Sequence, residues 1–365
     1  MNPDLKTSPL SGPPVRPIFV VGAPRSGTTL LRFMLSGHSR IYIPPESNFI
    51  PRFFQRRPGL PMTHSRAVQI MRSLRDYRMF FRDWCGPRPD PEVFVNGLPN
   101  LFPATLLDRL YGDYARQYGA SRWGDKSPNH TCQMDLLASL FPGAQFIHII
   151  RDARDVALSM REAYRGLRFF YMDAYYEARS WKERVSKARA SGTRLGPGRY
   201  FEVRFMNITT EPELYLRQIC DFLGETYEPS MSQPQKVAIA RHHSNGIHAS
   251  TRHAPNARHV GHWRWDMAPT DIRLFQAVLA DLLKDLNYDI LDLGPMPLRE
   301  HLRHAALHAK YTLIDIARRA TQAAGVFHPT RILSRFLKNP RRIQKAVPHV
   351  TTCLALFNDY NPFVF

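Results

Sequence analysis

The chain has 365 residues, 44% of them hydrophobic and 22% charged, a composition typical of a globular protein with a sizeable core. No apolar run approaches the roughly 20 residues of a transmembrane helix, and the start lacks the charged-then-apolar order of a secretory signal. Four scattered cysteines form neither a zinc motif nor a disulfide framework, so we expect a cytoplasmic protein. The net charge of +19 favours anionic ligands, with an arginine-rich proteome as the alternative explanation.

The predicted elements alternate between strands and helices, which indicates an α/β fold with a parallel, P-loop-like sheet flanked by helices. After a disordered segment at 1–15, the predicted strands are Ile18–Val21, a short Ile41–Ile43, Gln145–Ile150 and Tyr200–Val203. Apolar residues at helical spacing predict helices that follow Thr29 and that cover 136–141, 214–223 and 274–286.

Two segments stand apart from this alternating pattern. Residues 50–120 are rich in arginine and aromatic residues and are predicted to form a mostly helical insertion in a domain that spans 16–294. Residues 295–365 hold eleven Lys/Arg against three Asp/Glu, a net charge of +8, and are predicted to form a basic helical extension. That extension either docks on the domain or makes a peripheral contact with an anionic membrane.

A phosphate-binding loop is predicted at Gly22–Thr29, between the first strand and a helix. Backbone N–H groups of such a loop bind an anion without a metal. Nucleotide triphosphatases require Gly-Lys-Ser/Thr at the end of this loop, whereas this chain has Gly27-Thr28-Thr29 and places its cation at Arg25. The lysine that reaches a γ-phosphate is missing, which favours a phosphate ligand other than ATP or GTP.

Two further motifs supply cations. Arg151 leaves the end of a predicted central strand, and Ser159 follows two helical turns later, so the two can hold a second phosphate. Asp155 is predicted to be only a favourable acid in the first turn of that helix. Lys126 precedes a turn from which its ammonium can point into a cleft, and an ordinary surface lysine is the alternative.

In this order, the loop Gly22–Thr29, Glu46, Lys126 and the pair Arg151 and Ser159 resemble the sulfotransferases that use 3′-phosphoadenosine 5′-phosphosulfate (PAPS). The resemblance is closest to the branch of tyrosylprotein sulfotransferases and many bacterial relatives, and it covers residues 16–292. It implies transfer of a sulfuryl group to an acceptor hydroxyl, with release of adenosine 3′,5′-bisphosphate (PAP) and no metal. It also accounts for the missing lysine, because PAPS has no γ-phosphate.

The resemblance implies a role for each matching residue. The residues that would hold the 5′-phosphosulfate are Arg25, Ser26, Gly27, Thr28 and Thr29. Arg151 and Ser159 would hold the 3′-phosphate, with Arg258 as a further contributor. Trp263 and Trp265 are candidates for stacking on the adenine, although core packing is the expected use of at least one of them.

Glu46 is the candidate general base that deprotonates the acceptor, and Arg25 and Lys126 would stabilise the leaving phosphate. His38 and His130 are the alternative bases, because many family members use a histidine. The acceptor stays open among a peptide tyrosine, a glycan, a lipid and a small molecule. A homodimer is an open alternative, and no nucleic-acid partner is expected.

Two rival functions remain open at this point. A P-loop small-molecule kinase is disfavoured by Thr28 in place of the lysine and by the lack of an evident magnesium carboxylate. A non-catalytic module that binds an anion or a membrane and retains the fold would not need Glu46 or Lys126.

Overall fold

A computed structural model describes residues 16–76, 89–164, 173–240 and 257–323. Its five-stranded parallel sheet has the order β2-β3-β1-β4-β5. The strands are β1 (Ile18–Val21), β2 (Ile41–Tyr42), β3 (Arg122–Lys126), β4 (Gln145–Ile150) and β5 (Tyr200–Arg204). The four predicted strands are confirmed, and the sheet contains a further strand, β3, that the sequence pattern did not indicate.

Helices connect the parallel strands, as such connections require. In chain order they are α1 (Thr28–Leu35), α2 (Ile50–Phe54), α3 (His64–Asp76), α4 (Pro91–Asn96), α5 (Pro103–Gln117), α6 (Met134–Leu140), α7 (Ala153–Ala163), α8 (Ala174–Leu195), α9 (Phe205–Thr210), α10 (Pro212–Leu223), α11 (Pro234–Ala240), α12 (Trp263–Asp266), α13 (Pro269–Asp285) and α14 (Leu298–Ala323). The predicted α/β class is therefore confirmed, and the described part of 50–120 is helical as predicted.

Each face of the sheet has its own apolar core, because successive side chains of a strand point to opposite faces. Phe19 and Val21 of β1 pack in one cluster with α3, α5 and α6, whereas Ile18 and Val20 pack in the other with α1 and α10. The segment 50–120 supplies much of the first cluster. It is therefore a structural layer of the fold as well as an insertion.

The described residues group into two compact units, one within 1–171 and 180–267 and the other within 172–179 and 268–365. The first unit contains the whole sheet and every candidate site residue. The C-terminal part of the second starts just before α13, earlier than the boundary predicted at 294/295, and the predicted domain boundaries stay a prediction. Segment 1–15 and the end of the basic extension, 324–365, lie outside the described residues. Within the described ranges, no helix is both long and apolar enough to span a membrane.

Candidate active site

The loop between β1 and α1 is shaped by two glycines that lie against neighbouring elements. A Cβ on Gly22 would lie 2.5 Å from the carbonyl oxygen of Ile149, and one on Gly27 would lie 2.4 Å from the ring of Phe205. Gly27 also has a φ of 97°, in the left-handed region that favours glycine. The loop is thus held tightly against β4 and α9, which fixes the direction of its backbone N–H groups.

The interior of this loop fits an anion. Ser26 is 1% exposed, and its Oγ has no hydrogen-bond partner among the described residues. Thr28 opens α1, whose first turn contains no acidic residue, so no carboxylate of the helix itself offsets the positive end of its dipole. A buried hydroxyl that lacks a partner among the described residues can take one from a bound ligand. A phosphate or sulfate oxygen supplies one.

Lys126 reaches this loop from the end of β3. Its Nζ donates to Oγ1 of Thr29 at 3.2 Å and forms a close ion pair with Oε1 of Glu46. The Lys126 side chain is 2% exposed and that of Glu46 is 23% exposed. Burial lowers the pKa of Lys126, the Glu46 carboxylate opposes that shift, and the Arg32 guanidinium adds to it. The structure therefore brings together Thr29, Glu46 and Lys126, the first and last of which are 97 positions apart in the sequence.

Arg151 and Ser159 form a second cluster with Arg25 of the loop. Nε of Arg25 donates to Oγ of Ser159 at 3.1 Å. The Arg151 guanidinium donates to the carbonyl oxygens of Arg25 at 3.1 Å and of His259 at 2.6 Å. Arg258 is exposed and lies next to His259 in a short 3₁₀ turn. The structure thus brings Arg258 to the segment that contacts Arg151.

The start of α7 holds the segment 261–263 in place through Asp155. Its carboxylate accepts hydrogen bonds from the backbone N–H of Gly261 at 2.7 Å and of Trp263 at 3.1 Å. Burial raises the pKa of Asp155, and the Gly261 N–H and the nearby Arg151 counteract that shift. Asp155 lies in the first turn, as expected. It has a second role that the sequence did not indicate, because its partners lie more than 100 residues away.

Trp263 is a packing residue. It is 1% exposed, and the guanidinium of the fully buried Arg154 lies 3.4 Å from its ring centroid. Asp152 holds that guanidinium through two oxygens, at 2.9 and 2.7 Å. Trp265, by contrast, is 77% exposed. The expectation that at least one of these tryptophans packs in the core is therefore met by Trp263.

The two histidines proposed as alternative bases are both buried in contacts of their own. Nε2 of His38 lies 2.9 Å from the carbonyl oxygen of Thr226, and Nδ1 accepts from the backbone N–H of Arg40 at 3.0 Å. His130 is 1% exposed, and its Nδ1 lies 3.3 Å from Oδ1 of Asp125, outside hydrogen-bond geometry. Among the three candidate bases, Glu46 is the one paired with Lys126, which in turn contacts Thr29 of the phosphate loop.

Comparison with known proteins decides the family. Residues 17–229, more than half of the chain, match the sequence profile described as "Sulfotransferase family". The chain belongs to the sulfotransferase family. It is similar to an uncharacterized protein of Aquifex aeolicus (strain VF5), with 26% identity over 250 residues, which are 66% of this chain and 30% of that protein.

Relatives with named activities include two protein-tyrosine sulfotransferases. The Drosophila melanogaster protein is 22% identical over 284 residues, which cover 74% of this chain and 51% of that protein. Protein-tyrosine sulfotransferase 1 of Mus musculus is 25% identical over 284 residues, which cover 74% and 69%. The matched region thus spans about a third of the Aquifex protein and about half of the Drosophila protein.

Two solved structures share the fold of this sulfotransferase. The sulfotransferase domain of the Synechococcus PCC 7002 olefin synthase aligns with a TM-score of 0.52 and 23% identity, over 78% of this chain and 99% of that one. The sulfotransferase domain from the curacin biosynthetic pathway aligns with a TM-score of 0.51 and 22% identity, over 76% and 99%. The predicted fold class is thereby confirmed at the level of the family.

Two residues that the sequence did not indicate support the candidate site. Thr131 Oγ1 accepts from the Gly22 N–H at 2.8 Å and donates to the Gly22 carbonyl at 2.9 Å, which fixes the base of the phosphate loop. Asp125 is fully buried and accepts hydrogen bonds from several hydroxyls. No local signal identifies either residue, because their partners come from distant parts of the chain.

A metal site was not predicted for this chain. Within the described residues, no group of three or more His, Cys, Asp and Glu side chains is arranged to hold a metal ion. The expectation that the reaction proceeds without a metal stays a prediction.

Proposed function

We propose that this chain transfers the sulfuryl group of PAPS to an acceptor hydroxyl and releases PAP. The observation that carries the proposal is the contact of Lys126 with both Glu46 and Thr29 at the mouth of an anion-binding loop. A base, a cation and a phosphate cradle are thus together in one place. Family membership supports the same reaction, and Thr28 in place of the nucleotide-triphosphatase lysine speaks against a kinase.

The residues of the two clusters suit the two ends of this donor. The 5′-phosphosulfate would lie in the loop, held by the backbone N–H groups and the hydroxyls of Ser26, Thr28 and Thr29. Arg151 and Ser159 would hold the 3′-phosphate, with Arg258 at its exposed side. Arg25 contacts Ser159 and belongs to the loop, so it links the two ends.

The chemistry then needs a proton acceptor and a cation. Glu46 takes the proton of the acceptor hydroxyl as the oxygen attacks sulfur in line. The bond from sulfur to the bridging phosphate oxygen breaks, and its electron pair stays on that oxygen. Lys126 and Arg25 stabilise the charge that develops there, as fixed cations do in phosphoryl transfer. Sulfur thus exchanges one oxygen partner for another, and the proton ends on Glu46.

The acceptor is a hydroxyl-bearing molecule in this proposal, and its class is not fixed by the residues of the site. Two relatives are named protein-tyrosine sulfotransferases, which makes tyrosine peptides the first acceptors to test. Glycans, lipids and small alcohols are the other acceptors to test. A cytoplasmic location stays a prediction.

Transfer of ³⁵S from labelled PAPS to this acceptor set tests the proposal directly, with ³²P transfer from γ-labelled ATP measured in parallel. We expect sulfur transfer that Glu46→Gln lowers by roughly 1,000-fold. Phosphate transfer would establish the rival kinase. Binding of PAP without any transfer, unchanged in Glu46→Gln, would instead establish a non-catalytic module.

A second proposal concerns helix α14, which we infer binds an anionic membrane surface. Its most exposed large apolar residues recur on one side of the helix: Leu298 at 75%, Leu302 at 64%, Leu313 at 66% and Ile316 at 58%. Exposed alanines, Ala305, Ala306 and Ala309, fill the space between them. At 100° per residue, all seven lie within one third of the helix circumference, which defines an apolar stripe.

Charge decides which partner suits the stripe. Arg299, Arg303 and Lys310 line one edge of it, and the region 295–365 carries a net charge of +8. Anionic lipid headgroups attract such cations by about 1 kcal/mol each, while the apolar side chains insert below them. Antiparallel pairing of two copies through the stripe would place the same basic edges side by side, which opposes a homodimer at this surface.

Sedimentation with vesicles tests this second proposal. We expect the chain to bind vesicles that contain phosphatidylserine, and not vesicles of phosphatidylcholine alone, in a salt-sensitive way. The double variant Leu302→Gln/Leu313→Gln should lose binding, while the control Leu60→Gln/Leu214→Gln, at residues 51% and 47% exposed, should retain it. Equal binding by both variants would overturn the proposal, and a dimer that only the α14 variant loses would assign the stripe to a second copy.

A further inference from the structure

Behind the Glu46–Lys126 pair lies a fully buried carboxylate, that of Asp125 in β3. It accepts hydrogen bonds from the hydroxyl of Ser127 at 2.8 Å and, at close range, from those of Ser47 and Tyr111. His130 Nδ1 lies 3.3 Å away. A buried charge is costly unless it is paired and hydrogen-bonded, and the surrounding donors offset that cost.

These contacts connect the two segments that carry Glu46 and Lys126. Asp125 directly precedes Lys126, and Ser47 directly follows Glu46. Oγ of Ser127 accepts from the backbone N–H of Ser47 at 3.1 Å and of Asn48 at 3.2 Å. The loop that carries Glu46 is therefore bonded to the strand that carries Lys126 at three points.

One residue of this loop has a left-handed backbone conformation. Asn48 has a φ of 51°, in the left-handed region, which asparagine adopts more readily than most other non-glycine residues. Such conformations persist where the surroundings enforce them. Here the hydroxyl of Ser127 holds the Asn48 N–H, and Asp125 holds the hydroxyl of Ser127.

The carboxylate stays ionised at neutral pH. Burial alone would raise the pKa of Asp125, but His130 and the hydroxyl donors lower it below the ordinary value of 3.8. Burial and the adjacent carboxylate raise the pKa of Tyr111 well above 10.0, so the phenol remains a donor. The charge of Asp125 also acts on Lys126, where it and Glu46 favour the protonated amine against burial and Arg32.

We propose that Asp125 is a positioning residue for sulfuryl transfer: through Ser47 and Ser127 it sets the place of Glu46 relative to Lys126. Neither the donor nor the acceptor needs to touch it. The inference rests on the proposed function, since it assigns a task to the same pair of reacting residues. A displacement of about 1 Å of a reacting group lowers a rate by roughly 100-fold, so the consequence is measurable.

Two variants that each remove one hydroxyl donor from Asp125 provide a matched test. Ser47→Ala removes the direct bond from the Glu46 loop to Asp125 and keeps the two backbone bonds to Ser127, whereas Tyr111→Phe removes a donor from α5 and leaves all three loop bonds in place. We expect Ser47→Ala to lower kcat by roughly 10- to 100-fold with unchanged PAP affinity, and Tyr111→Phe to retain kcat within about 3-fold. Equal kcat values in the two variants, whether high or low, would overturn the positioning role.

Asp125→Asn adds a readout that a purely structural role would not move. Lys126 faces Glu46, Arg32 and Asp125, and loss of the Asp125 charge removes one of the two groups that favour its protonated form. The alkaline limb of the rate profile should therefore shift to lower pH, and an unshifted limb with wild-type kcat would contradict the inference. A wild-type chain that binds PAP yet transfers no sulfur would refute the proposed function itself, and this inference with it.

Discussion

The two ends of the candidate donor site are built differently. At the reacting end, a lysine that is almost fully buried is paired with a partly exposed glutamate, and a second carboxylate lies behind them. At the anchoring end, Arg151 donates to two backbone carbonyls and Arg25 donates to a serine hydroxyl. The arrangement at the reacting end rests on charged side chains that contact each other. The arrangement at the anchoring end rests on guanidinium groups that donate hydrogen bonds to backbone carbonyls and to a hydroxyl.

This difference separates the expected effects of substitution. A change at the reacting end should lower kcat and leave PAP affinity intact, because in the proposed mechanism the pair acts on the transferring group. A change at the anchoring end should weaken PAP binding and leave kcat at saturating donor largely unchanged.

Loss of the base should have the largest effect. Glu46→Gln is expected to lower kcat by roughly 1,000-fold, since a positioned general base contributes about 100- to 10,000-fold. PAP affinity, measured by calorimetry, should change little. Glu202→Gln is the matched control, because Glu202 is 31% exposed and paired with Arg189 at 3.0 Å. A loss of PAP affinity equal to the loss of kcat would erase the distinction between the two ends.

Loss of the anchoring arginine should act on affinity. Arg151→Gln is expected to weaken PAP binding by roughly 10- to 100-fold, because hydrogen bonds to charged groups contribute about 1.5–3 kcal/mol. Adenosine 5′-phosphate lacks the 3′-phosphate, so its affinity should be nearly the same in the variant and the wild type. If the variant still prefers PAP over adenosine 5′-phosphate by the wild-type factor, Arg151 does not hold the 3′-phosphate.

A smaller effect is expected from the residue that holds segment 261–263. In Asp155→Asn the amide keeps one acceptor oxygen, so one of the N–H groups of Gly261 and Trp263 faces an amino group. PAP affinity should fall by less than about 10-fold, in line with one net hydrogen bond. Trp265→Ala, at a 77% exposed ring, should leave affinity unchanged. The reverse order of effects would assign the adenine to Trp265.

The smallest effect near neutral pH concerns the charge of Lys126. Burial lowers its folded pKa below 10.5, so the ammonium is lost as pH rises through that lower value, and kcat should fall with it. Lys126→Arg should remove this alkaline limb, because a guanidinium stays protonated. A limb that persists in Lys126→Arg would belong to another group.

Much of the fold follows from apolar runs in the sequence. Ile18–Val21 and Gln145–Ile150 are uniformly buried, and both match their predicted bounds. Strand β3 has the sequence Arg-Trp-Gly-Asp-Lys, and because three of its five residues are charged, no apolar run indicates a strand there. They are tolerated in the sheet because they have hydrogen-bond partners. Arg122 donates to the Leu223 carbonyl at 2.9 Å, and Asp125 accepts from nearby hydroxyls.

The site was predictable as a set of residues and not as an arrangement. The phosphate loop and the cations have local signatures, whereas the Glu46–Lys126 contact spans 80 positions and depends on the pairing of β2 with β3. The same holds for Asp125 and Asp155, whose partners come from other elements. Sequence spacing cannot supply such contacts, because they depend on strand order and register.

The central claim is that the cradle accepts PAPS in place of a nucleoside triphosphate. The most direct test is thermal unfolding of the full chain with PAP or with ATP, each at the same saturating concentration. Our account predicts that PAP raises the Tm, that Arg151→Gln loses most of that increase, and that ATP has little effect. Stabilisation by ATP and none by PAP would contradict the account.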